Sequence, residues 1–132
     1  GRAINISKTT GNHALSYKIT TDHGVPHGHC VGMLLPTFFK LHERIASNDT
    51  LRGKRIKIAH EEIFQILNCA NLEQFLYEYE EKLRKMGLES FNILNEKLGF
   101  DEVKIVETVN AQRLMNHPIN LTDEELKSIF KM

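Results

Sequence analysis

Four of the chain's seven histidines, His13, His23, His27 and His29, fall within one stretch, NHALSYKITTDHGVPHGHC. Imidazole is the side chain that binds transition metals most often, and it also moves protons near neutral pH. His13 and His27 are 14 positions apart. On one continuous helix that separation is about 21 Å, too far to share an ion. Gly24 and Pro26 interrupt the stretch, so the chain can turn back there. A helix ending near Thr20 and another starting at Pro26 would carry both imidazoles to one point. Zinc or ferrous iron needs ligand nitrogens at roughly 2.0–2.2 Å. Further ligands could come from His23, His29 or the Asp22 carboxylate, but none has a diagnostic spacing such as HExxH. Tyr17 lies one helical turn after His13, where it lines a pocket or packs into the core.

The elements that must position these groups read as helices throughout. A short helix covers about His13–Thr20, with Gly24 as its stop residue and Pro26 in the first turn of the next. That second helix runs to about Arg44, with Val31, Leu34, Leu35, Phe38, Phe39 and Leu41 as a wide apolar stripe. Pro36 should kink it. Ala46–Arg55 reads as a polar, basic loop, and a third helix as about Ile58–Cys69. The next helix starts near Asn71 and ends at Gly87. In it Leu72, Phe75, Leu76, Tyr79, Leu83 and Met86 recur at helical spacing. A short helix closes at Gly99. A longer one spans Asp101 to about Asn116, with Val103, Val106 and Val109 inward. HPINL is a linker. The last helix opens on a Thr122/Glu125 capping box with a Leu121/Leu126 staple. Residues 1–10 read as an extended entry with Ser7, Thr9 and Thr10 as potential caps. The fold class is all-α, a bundle of about seven helices, without repeats or a second-domain boundary.

The totals narrow the function. With 132 residues, 41% of them hydrophobic and 26% charged, the chain has the composition of one globular domain. Seventeen basic and 17 acidic side chains cancel, so no basic field attracts nucleic acid. No apolar run approaches the roughly 20 residues that span a bilayer, and the N-terminus lacks a signal-peptide layout. Cys30 and Cys69 form no CxxC pair, which points to a reduced, cytoplasmic setting. Cys30 reads as a small buried hydrophobe. GxGxxG, P-loop and GxSxG patterns are absent. His42 and His60 read as surface or helix-terminal residues, His23 as a solvated loop residue, and His117 as an extended residue before Pro118.

AINISKTTGNHALSYKITTDHGVPHGHCVGMLLPTFFKLH resembles the iron-containing (group III) alcohol dehydrogenases of the dehydroquinate synthase-like superfamily. A histidine enters a helix (His13). A variable turn follows, then Pro26-His27-Gly28, then an apolar helix with Leu34-Leu35-Pro36. The tail FDEVKIVETVNAQRLMNHPINLTDEELKSIFKM is similar to the family's closing segment. SKTTGNHALSY and PHGH look most like the branch of phosphonoacetaldehyde reductases and the eight-carbon sugar acid oxidase.

The resemblance implies that His13 and His27 are the last two of four ligands to a divalent metal, Fe2+ or Zn2+. It implies that the other two, an Asp and a His, lie upstream with an N-terminal nucleotide-binding domain for NAD or NADP. The chain, 1–132, then corresponds to the C-terminal helical, metal-contributing domain. Tyr17 stands where many members have another histidine. His29, two residues past a ligand, is expected to touch substrate or relay a proton. The implied reaction is metal-assisted hydride transfer between a small alcohol or aldehyde and the nicotinamide. The chain alone is expected to be inactive, and its exposed apolar surface favours self-association into a homo-oligomer. The competing reading is a non-enzymatic helical interaction module that retains the scaffold.

Overall fold

A computed structural model describes Ile6 and residues 8–132. The expected extended entry lies largely outside the described residues, Ser7 included. Of the two threonines there, Thr10 occupies the N-cap position but makes no side-chain cap.

Eight α-helices account for the described chain: α1 Gly11–His23, α2 His27–Ala46, α3 Leu51–Leu67, α4 Leu72–Lys85, α5 Phe91–Leu98, α6 Glu102–Glu107, α7 Ala111–Leu114 and α8 Asp123–Ser128. A 3-10 turn, Ile129–Lys131, follows α8. No strand forms among the described residues, so the all-α class holds. No helix among them is long and apolar enough to cross a membrane.

The central element is α2, which packs against α1, α3, α4 and α5. Leu34, Leu41 and Phe38 of α2 join Leu15 and Ile19 of α1 in the main core, which Ile105, Leu126 and Ile129 close from the C-terminal end. The opposite edge of α2 supplies Phe39 to a second cluster with Cys69 and Phe75, flanked by Leu35, Ile63 and Tyr79. The wide stripe therefore divides between two cores, which is why it is wider than one helix face needs.

Pro36 lies inside α2 without ending it. A proline cannot donate to the carbonyl four residues back, here that of Gly32. Tyr79 of α4 supplies the missing donor, its hydroxyl reaching the Gly32 carbonyl at 3.2 Å. Burial raises the Tyr79 pKa, keeping the phenol protonated. Tyr79→Phe should strand that carbonyl and cost about 1 kcal/mol, read as a lower urea midpoint with an unchanged m-value. An unchanged midpoint would show that water replaces the phenol without loss.

Several expected boundaries move. Helix α1 is longer than His13–Thr20. Gly24, left-handed at φ 68°, stops it as anticipated. The expected loop Ala46–Arg55 shrinks to residues 47–50, because LRGKR is the first turn of α3. The Thr50 hydroxyl caps that turn by accepting from Gly53 N at 3.0 Å. Gly53 lies so close to the end of α2 that a β-carbon would collide with the Asn48 carbonyl. The glycine that looks like a loop signal is a packing requirement. The single helix expected over Asp101–Asn116 breaks at Thr108–Asn110, where Asn110 caps α7 by accepting from Arg113 N. On α6, Ile105 and Val106 face inward, while Val103 is 44% exposed. Met86 ends α4 facing solvent rather than the core. The capping box at Thr122 and Glu125 forms as expected. Glu125 also pairs bidentately with Arg52 of α3, at 2.9 and 2.8 Å.

Candidate metal centre

The corner between α1 and α2 does what the Gly24–Pro26 interruption requires. It brings His13 Nδ1 to 3.2 Å from His27 Nε2, with ring centroids 5.2 Å apart. Ser16, one turn along α1 and fully buried, lies beneath them. Its hydroxyl donates to the His13 carbonyl at 2.9 Å and lies 3.2 Å from His27 Nδ1. A hydroxyl has one proton to give. With that proton on the His13 carbonyl, the oxygen accepts from His27 Nδ1–H, and the Nε2 lone pair of His27 faces His13. Burial lowers the His13 pKa, and the nearby His27 and Arg113 charges lower it further. His13 is therefore neutral at pH 7. The arrangement brings two imidazole nitrogens to one point.

Tyr17 joins this cluster. Its ring centroid is 4.9 Å from that of His27, and the Arg113 guanidinium carbon sits 4.1 Å from the same centroid, over the ring. Tyr17 is 44% exposed, so it forms a wall of the corner rather than part of the core.

The other candidates of the stretch go elsewhere. His29 is two positions beyond His27, about 200° further round the helix. It faces the α4–α5 connection, where its Nε2–H donates to the Glu89 carbonyl at 2.7 Å. His23 is the last residue of α1 rather than a solvated loop residue, with its ring edge against Phe100, centroids 4.9 Å apart. Asp22 is held by Lys18 at 2.8 Å and Lys104 at 2.9 Å, and those two hydrogen bonds keep its carboxyl below the usual carboxylate range. Cys30 is buried as expected, and burial pushes its thiol upward, away from the thiolate a metal needs. Among the described residues no group of three or more His, Cys, Asp and Glu side chains has the geometry to hold a metal ion.

A second histidine cluster went unread in the sequence. His42, His60 and His117 come together where α2, α3 and the segment after α7 meet. His42 Nε2 lies 2.8 Å from His117 Nε2, and the His42 and His60 centroids are 5.7 Å apart. Far from being surface or linker residues, His60 and His117 are only 5% and 7% exposed. Burial pushes the His42 pKa down to about 3, aided by His117, His60 and Arg52, and that of His117 to about 4, aided by Arg52. The only available sequence signal was spacing. His60 lies four residues after Ile56 and three before Ile63, on the apolar stripe of α3.

No curated protein and no solved structure matches the chain. The model of one family, the C-terminal part of the Fe-containing alcohol dehydrogenases, matches it over residues 1–132. With an all-helical frame and a paired-histidine corner already in place, that match identifies the chain as a member of the Fe-containing alcohol dehydrogenase family, corresponding to its C-terminal part.

Proposed function

We propose that this chain is the C-terminal, metal-contributing part of an NAD(P)-linked alcohol dehydrogenase or aldehyde reductase acting on a small alcohol–aldehyde pair. His13 and His27 supply two of the metal's ligands. An N-terminal nucleotide-binding domain supplies the other two and holds NAD(P). Within the family we place the protein nearest the phosphonoacetaldehyde reductase and sugar acid oxidase branch, on SKTTGNHALSY and PHGH.

The observation that carries this reading is the 3.2 Å separation of His13 Nδ1 and His27 Nε2. Two nitrogens each about 2.05 Å from a tetrahedral ion lie about 3.3 Å apart, so the pair fits a shared zinc or ferrous ion with little movement. When bound, the metal supplies a Lewis acid toward the substrate oxygen and NAD(P) supplies the hydride acceptor or donor. The chain's own residues prepare that site. Ser16 fixes the His27 tautomer, as an outer partner does for a metal-ligating histidine. The depressed His13 pKa keeps its lone pair free at neutral pH. Tyr17, clamped under Arg113, forms a flat wall beside the pair and restricts how a small substrate lies against it.

Cobalt(II) titration of the full protein, followed in the visible spectrum, tests this. Tetrahedral or five-coordinate absorption should saturate at one equivalent, and zinc should displace it. The same metal-loaded protein should oxidise NADH or NADPH with short aldehydes. Metal binding without nucleotide-linked turnover would keep the site and discard the reaction. Failure to bind cobalt would overturn both.

A further inference from the structure

We propose that the cavity beside His42, His60 and His117 binds a small aromatic carboxylate carrying a hydroxyl group. The cavity measures about 320 Å³ and is walled mainly by Leu35, Phe38, Phe39 and Ile63. It lies along α2 from the paired-histidine corner: Phe38 is eleven positions beyond His27, roughly 16 Å along the axis.

Three features specify the ligand. The first is aromatic. Phe39 and His60 stack at 4.8 Å with their planes 20° apart, and Phe38 forms another wall. Flat walls favour a flat body.

The second is a neutral polar group. His60 is 5% exposed, and its Nε2 makes no hydrogen bond. Its Nδ1 faces a Glu43 oxygen at 3.4 Å, so Nε2 is the nitrogen left for a ligand. His117, 7% exposed, leaves Nδ1 without a partner as well. A buried polar atom without a partner is destabilising, and a ligand that supplies one relieves that cost. A hydroxyl both donates and accepts, so it can satisfy either imidazole whichever nitrogen holds the proton.

The third is a negative charge. Arg55 lies exposed at the cavity's edge and makes no ion pair with any described residue. A guanidinium fork in that position matches a carboxylate. Arg55 and His60 both line the cavity, so a flat ring with its carboxylate arm and its hydroxyl at opposite ends can address the two.

The test reads binding, not turnover, so it stands or falls apart from the dehydrogenase reading. Isothermal titration of the full protein should give 4-hydroxyphenylacetate a Kd below about 1 mM. Phenylacetate, without the hydroxyl, should bind about tenfold more weakly. Tyramine, with an ammonium group in place of the carboxylate, should not bind measurably. Arg55→Gln, a surface change that leaves the core intact, should weaken 4-hydroxyphenylacetate about tenfold. His60→Phe keeps the stack on Phe39 and should make the two acids bind alike. Absence of binding by either acid to the wild-type protein would overturn the proposal, as would unchanged affinity in Arg55→Gln. Equal affinities of the two acids for the wild-type protein would remove the assigned role of His60.

Discussion

His27→Ala is expected to lower cobalt(II) or zinc affinity by at least about 100-fold, because even outer-sphere partners of a metal ligand are worth about 10–100-fold. The argument rests on the corner. His27 enters on the first turn of α2, and its Nε2 reaches the same point as His13 Nδ1 at 3.2 Å. Removing one imidazole leaves a single nitrogen from this chain, and no third metal-binding side chain among the described residues moves in to replace it. His13→Ala should do the same. Ser16→Ala separates orientation from ligation. The two imidazoles remain, but the hydrogen bond that fixes the His27 tautomer is lost, so affinity should drop about tenfold. His29→Ala is the control: its ring is bonded to Glu89 on another side of α2, so metal affinity should hold. Competition against a chromophoric chelator measures all four. Full metal affinity in both His13→Ala and His27→Ala would remove the pair from the site.

The corner was legible because glycine and proline act locally. Gly24 takes the left-handed conformation that stops α1, and Pro26 precedes α2. Those two residues alone show that His13 and His27 need not lie 21 Å apart. The period of α4 and the capping box at α8 were legible for the same reason, each being written within a turn or two. What could not be read was anything decided by another element. Gly53 looks like a loop residue until α2 is seen packed against it. Val103 looks inward by its spacing from Val106, yet α6 buries Ile105 and Val106 and leaves Val103 exposed. His42, His60 and His117 are spread over 75 positions between the first and last, and no local pattern announces that α2, α3 and the segment after α7 meet there. Residue-type reasoning also favours the wrong cluster members. A histidine before proline looks like a linker, yet His117 is buried because the chain after α7 folds back over Phe38.

The same buried cluster predicts a steep loss of stability in mild acid. His42 and His117 have pKa values of about 3 and about 4 in the folded chain, against about 6.5 when unfolded. Below pH 6.5 the unfolded chain therefore binds more protons than the folded one, and stability falls as pH falls. The loss continues until the folded pKa values are reached. Each group contributes up to about 1.4 kcal/mol per pH unit in that window. Taken together, and allowing for their mutual contact, the pair should remove roughly 4 kcal/mol between pH 6.5 and pH 4.5. That is a large share of the roughly 5–15 kcal/mol a domain has. Burial lowers His13 and His60 too, so both act in the same direction. The carboxylates work in a lower window. Lys18 and Lys104 hold Asp22 low, and Arg52 holds Glu125 low against the opposing effect of burial. Their contributions fade only as pH falls through the carboxylate range, so the upper part of the curve belongs to histidine. Urea unfolding from pH 7.5 to 4.5 should show the midpoint dropping steeply below pH 6.5. In a His42→Gln/His117→Gln double variant, which keeps hydrogen-bonding groups but cannot take up the protons, the slope over that window should fall by at least half. A wild-type slope in the double variant would mean that these two imidazoles are not the groups whose charging drives the unfolding.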